Sequence, residues 1–223
     1  MSSDKLRSST QEHTVQIKLG KIILEGTFSI PVGARGVVIF AHGSGSSRFS
    51  PRNTFVASEL RKATLATLLF DLLTKEEEQI DSVTAQLRFD IELLARRLIG
   101  ATDWLKNQFN ARKLKVGYFG ASTGAAAALV AAADRVDVIE AVVSRGGRPD
   151  LAGQALTKVK APTLLIVGGD DTIVIDLNRQ ALSKLKSEKE LVIVPGASHL
   201  FEEPGTLEEV ARLATSWFKK HLS

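Results

Sequence analysis

Apolar and polar positions along the chain change their pattern once, near residue 36. Before that point Val15, Ile17 and Leu19 alternate with polar residues, the mark of a half-buried strand. Lys21 to Ile30 reads as a second strand, with Gly20 near the turn between them. The two are expected to open the sheet as an antiparallel pair. After it come six short continuous apolar runs: Val37 to Phe40, Leu65 to Phe70, Val116 to Phe119, Val138 to Val143, Thr163 to Val167 and Leu191 to Val194. Runs of this kind suit strands buried on both faces, as parallel sheets require.

Helical patterns separate the runs. Ser50-Pro51 makes a cap and first-turn pair for a helix to about Ala63. Ile91, Leu94, Leu98, Ala101, Leu105 and Phe109 recur at helical spacing and predict one helix over about Arg88 to Phe109. Thr206 and Glu209 have the spacing of a capping box for a last helix that buries Leu207, Val210, Ala214, Trp217 and Phe218. Leu72 to Leu87 reads as a long polar connection. Strands alternating with helices predict an α/β fold, a mostly parallel, doubly wound sheet with helices on both faces. Residues 1–13 read as a polar tail and 14–223 as one domain. Ser144 to Pro162 is too short to form a separate lid.

The segment Lys115 to Val130, KVGYFGASTGAAAALV, carries the first sign of chemistry. Strand, G-x-S-x-G and helix is the layout of a nucleophile elbow, with Ser122 on the tight turn. Glycines at 120 and 124 let the backbone cross closely there. The following helix aims its N-terminus at the place where negative charge would develop.

A serine nucleophile needs a base and an acid. Of the four histidines, His13 lies in the tail, His221 near the C-terminus, and His42 at the end of an early strand. His199 alone sits in a loop after a late strand, at the sheet edge that Ser122 shares, so it is the candidate base. His42 suits a structural hydrogen bond better. Gly168-Gly169-Asp170-Asp171 follows another strand at that edge. Asp171 is the preferred acid, three residues before Val174, and Asp170 is its rival. Asp71 precedes the serine and suits a loop-holding role. The backbone N–H groups of Ser44 and Thr123 are the expected oxyanion donors, with Gly45 the alternative to Ser44.

Other classes fit less well. Gly43-x-Gly45 begins a dinucleotide fingerprint, but Arg48 stands where a small residue is needed. No P-loop or zinc-protease motif occurs. With no cysteine, thiolate chemistry, zinc ribbons and iron–sulfur clusters are excluded. No cofactor or metal is expected. The net charge of +4 is spread among acids, so neither nucleic acid nor a membrane is an expected partner. No apolar run reaches bilayer length and no signal segment opens the chain, which makes the cytoplasm the expected location. The oligomeric state is not readable.

Four motifs together, HGSGS at 42–46, GASTG at 120–124, GGDDTIV at 168–174 and GASH at 196–199, resemble those of small lidless α/β-hydrolases of the dienelactone hydrolase kind, over about Val15 to Leu222. The resemblance implies an α/β-hydrolase fold without a lid domain and a hydrolase needing no cofactor. Dienelactone hydrolases carry a cysteine nucleophile, whereas this chain has none, which favours a serine esterase or thioesterase acting on a small-molecule ester. A peptidase or amidase, and a non-catalytic binding protein of the same fold, are the alternatives. Arg145 and Arg148 flank Gly146-Gly147 beyond a strand at the same edge, with Arg48 and Arg52 nearby. They could hold a substrate anion. In the competing reading Arg145 pairs with Asp150 or caps loop carbonyls, and the other arginines are solvated.

Overall fold

The computed structural model describes residues 10–108 and 111–223. Eight strands form one sheet: β1 (Gln11–Leu19), β2 (Ile22–Ile30), β3 (Gly36–Ala41), β4 (Ala66–Phe70), β5 (Lys115–Ala121), β6 (Ile139–Arg145), β7 (Thr163–Gly168) and β8 (Lys189–Val194). Their order is β1-β2-β4-β3-β5-β6-β7-β8. The first two strands run antiparallel to each other, and β2 runs antiparallel to β4. From β4 onward all neighbours are parallel. Among the described residues six α-helices accompany the sheet: α1 (Pro51–Lys62), α2 (Lys75–Thr84), α3 (Ile91–Lys106), α4 (Thr123–Asp134), α5 (Thr172–Lys184) and α6 (Thr206–Leu222). This is the expected α/β-hydrolase architecture, and no separate lid domain stands among the described residues.

The side chains of the central strands divide the core in two. Val37, Ile39, Leu68, Val116 and Tyr118 face α3 and α4, while Val38, Phe40, Phe119, Ala141 and Val143 face α1 and α6. Helix α4 is alanine along most of its length, and every residue from Thr123 to Ala132 is buried. Small side chains let it lie close against the sheet, so the turn that precedes it has no room to drift.

Several expectations need correction. β1 takes in residues 11–13, so it begins within the expected tail, and residues 1–9 lie outside the described residues. The helix expected over Arg88 to Phe109 starts later, because Asp90 caps α3 by accepting the Leu93 N–H; Leu87–Phe89 is a separate 3-10 turn. Its expected last residue, Phe109, lies outside the described residues. The connection Leu72 to Leu87 holds α2, which a reciprocal capping box between Thr74 and Glu77 starts. The box expected at Thr206 and Glu209 does not form. Gly205 caps α6 instead, and the Glu209 carboxylate is held by Arg212. β6 continues to Arg145, two residues beyond its apolar run, and residues 149–158 form a 3-10 segment with a break at Gly153. β8 is half-exposed, since it closes the sheet at one edge.

Two glycines set what the central turn can be. A methyl group at Gly124 would lie 2.2 Å from the Ala41 carbonyl oxygen, and one at Gly120 would lie 2.4 Å from Ala125 Cα. Both clashes are with backbone and cannot be relieved by a rotamer change. Gly124→Ala is therefore expected to cost about 3 kcal/mol or more, as overpacking against fixed atoms does. Gly33→Ala, in open space with φ of 81°, is expected to cost about 1 kcal/mol from backbone strain alone. Urea unfolding of the two variants beside wild type measures the difference.

Candidate active site

Ser122 lies between β5 and α4 with φ 51° and ψ −122°, a conformation that an L-residue adopts only when its surroundings enforce it. They do so from three sides. The Ser122 N–H donates to the Arg145 carbonyl (3.3 Å), and the Ser122 carbonyl accepts from Ala125 N–H (3.1 Å) and Arg148 N–H (3.0 Å). Gly43 packs against the serine, leaving 3.0 Å between an added methyl at 43 and Ser122 Cβ.

Across the edge, two loops are stitched together. Gly169 N–H donates to the Val194 carbonyl (2.8 Å), and Asp170 N–H to that of Ala197 (3.0 Å). Gly168 has no side chain because the carbonyls of Ala197 and Ser198 occupy that space. This contact sets Asp171 against His199: the Nδ1–H of the imidazole, in its neutral form, donates to Asp171 Oδ2 at 2.6 Å. That leaves Nε2 as the acceptor. Asp170 is exposed and makes no hydrogen bond or ion pair with His199 among the described residues. His199 reaches the serine's neighbourhood through Gly146, where an added methyl would come within 3.7 Å of His199 Cε1. Ser122 and His199 share the same rim, although no direct hydrogen bond joins them.

Ser44 and Thr123 come together across the elbow, their hydroxyls 3.0 Å apart. Neither backbone N–H donates to a protein group among the described residues. Both residues line a cavity of about 220 Å³ between the β3–α1 loop, α2 and α3, which reaches Thr123, the residue after Ser122. Leu72, Leu73 and Leu94 supply its apolar wall, and Glu78, Ser46 and Ser82 its polar one.

The loop carrying Ser44 is held by groups that sequence reasoning placed only in part. His42 Nδ1 donates to the Gly43 carbonyl (3.0 Å) and Nε2 accepts the Leu72 N–H (3.1 Å), a structural role that requires the neutral ring. Burial keeps its pKa below the ordinary 6.5. Asp71 accepts the Arg48 N–H (2.8 Å) and pairs with the Arg48 guanidinium, which also reaches Glu25 (2.8 Å). Arg48 is thereby a brace rather than a solvated side chain, a role that nothing in its sequence surroundings announced. Arg88 pairs with buried Asp81 (2.6 Å) and ties α2 to the following turn.

The arginines after β6 part company. Arg148 forms a two-pronged pair with Asp150 (2.9 and 2.8 Å), so the partner expected for Arg145 belongs to Arg148. Arg145 is 6% exposed and makes no ion pair among the described residues. Burial, and then the like charge of Arg52, push its pKa down to about 10. Among the described residues no three His, Asp or Glu side chains gather as a metal site, and no helix is long and apolar enough to cross a membrane.

Comparison with known proteins gives a consistent result for the fold. The profile of the dienelactone hydrolase family matches residues 24–222. A dienelactone hydrolase from Anabaena variabilis is 62% identical, with a TM-score of 0.95 over 96% of this chain and 99% of that one. Est1E from Butyrivibrio proteoclasticus shares the fold at 16% identity and a TM-score of 0.77, over 93% of this chain and 98% of its own. A Mycobacterium tuberculosis protein, provisionally named a phosphoribosyl transferase, is 57% identical over 212 residues, 95% of this chain and 47% of the relative. The chain thus spans about half the length of the curated relatives it matches.

The histidines give a pH prediction. His42 and half-buried His221 both have pKa values held below 6.5 by burial, so each binds its proton less readily when folded. Their contribution to stability is complete above about pH 7 and is lost as pH falls through the unfolded-state value near 6.5 toward the folded one. In His42→Gln the slope of unfolding free energy between pH 7 and pH 5 is expected to flatten by up to about 1.4 kcal/mol per pH unit. Urea titrations at several pH values test this, with His221 supplying part of the slope that remains.

Proposed function

Because the chain belongs to the dienelactone hydrolase family, we propose that it is a serine hydrolase that cleaves a small carboxylic ester or thioester through an acyl-enzyme. The observation that carries this reading is the 2.6 Å Asp171–His199 hydrogen bond at the rim where Ser122 stands on its strained turn. Ser122 Oγ attacks the acyl carbon while His199 Nε2 takes its proton. The tetrahedral oxyanion is held by the N–H groups of Ser44 and Thr123, the latter at the N-terminus of α4. On collapse, His199 returns the proton to the departing alcohol or thiol. Water then attacks the acyl-enzyme with His199 again as base, releasing the acid and Ser122. Asp171 holds the ring with Nε2 facing the reaction and steadies its charged form.

A cavity of about 220 Å³ suits a compact acyl or alcohol group rather than a long lipid chain. An amide substrate would use the same groups, but the cavity beside Thr123 is compact rather than the long groove that an extended peptide needs. The phosphoribosyl transferase name belongs to relatives about twice as long, and the residues gathered at this rim serve acyl transfer to water.

An active-serine phosphonate should label wild type and leave Ser122→Ala unlabelled; equal labelling of both would sink the proposal. Asp171→Asn should lower kcat on a short p-nitrophenyl ester by about 10⁴-fold while the protein stays folded, since the imidazole tautomer would be wrong. Asp170→Asn should stay within a few-fold of wild type. The reverse ranking would move the acid to Asp170. Leu94→Trp, which fills the cavity, should raise KM for butyrate esters more than for acetate esters.

A further inference from the structure

Arg145 poses a physical problem that the proposed chemistry does not use. Its side chain leaves the end of β6 toward the α1 and α6 face, beneath the loop that carries His199. The guanidinium lies 5.9 Å from the centre of the Phe201 ring, a weak cation–π contact. Its Nε is enclosed without a hydrogen-bond partner. No carboxylate pairs with it among the described residues, and Arg52, in the first turn of α1, adds a like charge. Arg52 likewise has an enclosed Nε without a partner, while its Nη1 holds Glu202 at the surface (3.1 Å). A buried cation without a partner is costly, and of the two only Arg52 has a carboxylate partner. Proteins keep such an arrangement where an anion completes it.

We infer that Arg145 and Arg52 form a binding site for an anionic group, a carboxylate or phosphate, between the first turn of α1 and the His199–Phe201 loop. A planar guanidinium matches either group with paired hydrogen bonds. The backbone already links this place to the nucleophile, because the Arg145 carbonyl accepts the Ser122 N–H. The opposite wall of the rim cannot take the anion. There the cavity presents Glu78, which has no ion pair among the described residues, beside Asp71 and Asp81, which Arg48 and Arg88 already occupy. The charge difference across Ser122 would turn an anionic ester so that its charged end lies toward α1. Phe201, whose ring faces the Arg145 guanidinium, holds φ at 57°. Assigning the anion to the substrate rests on the serine-hydrolase proposal; binding of an anion as such does not.

Thermal melts with and without inorganic phosphate test the site independently of catalysis. Phosphate is expected to raise the Tm of wild type and of Ser122→Ala alike, as a ligand of the native state does. The rise should be lost in Arg145→Met and reduced in Arg52→Gln, a half-exposed position where the fold is not at stake. Without phosphate, Arg145→Met should melt at or above the wild-type temperature, since it removes an unpaired charge; a structural arginine would instead lower it. The source of the anion follows from kcat/KM for a neutral ester and its carboxylate-bearing analogue. A loss in Arg145→Met at least tenfold greater for the charged ester places the anion on the substrate. Equal losses, with the phosphate effect intact, leave a site for a free anion. A wild-type Tm unmoved by phosphate, together with equal losses on both esters, overturns the inference.

Discussion

The arrangement depends on one backbone constraint, the positive φ of Ser122. A residue with a Cβ does not stay at φ 51° unless its neighbours hold it there, and here they act from both strands beside β5 and from α4. Gly120 and Gly124 are required because α4 and the β3 end lie against the turn. The Arg145 and Arg148 contacts clamp the serine's own peptide groups. The energy stored in the turn is offset by packing elsewhere, chiefly the burial of α4 against the sheet.

The second half of the site is held differently. Asp171 and His199 come from loops after β7 and β8, and neither is itself in a left-handed conformation. Direct backbone contact fixes them, through Gly168 beneath the Ala197 and Ser198 carbonyls and through the N–H groups of Gly169 and Asp170. Glu203 closes the loop by accepting the Ser198 N–H (3.0 Å), a bond that also holds the Glu203 carboxyl below its ordinary pKa. The loop carrying Ser44 is held by a third device, the ion network of Arg48, Asp71 and Glu25 together with neutral His42.

The parts of this plan readable from the chain were those with local signatures. Continuous apolar runs marked the parallel strands, and G-x-S-x-G between a strand and a helix marked the elbow. The unread parts depended on distant partners. Asp170 and Asp171 are chemically equal neighbours, and only the docking of the 195–201 loop distinguishes them. Arg145 and Arg148 both stood near Asp150, and the strand's extension to residue 145 carried Arg145 away from it. For α2 the signal was present in Thr74-x-x-Glu77, but the charge run at Lys75 to Glu78 masked it as a solvated connection.

Helix α4 has a consequence for how such a protein can change over time. Every position from Thr123 to Ala132 is buried and most carry only a methyl group, so larger or charged replacements meet packed neighbours. That segment should accept few substitutions whatever the substrate. Helix α2 is its opposite, with a single buried residue, Asp81, and a wall of the cavity on its surface. Lineages that acquire new substrates would therefore be expected to diverge at α2 while α4 keeps its alanines, so that the region recording ancestry and the region recording diet are two different helices.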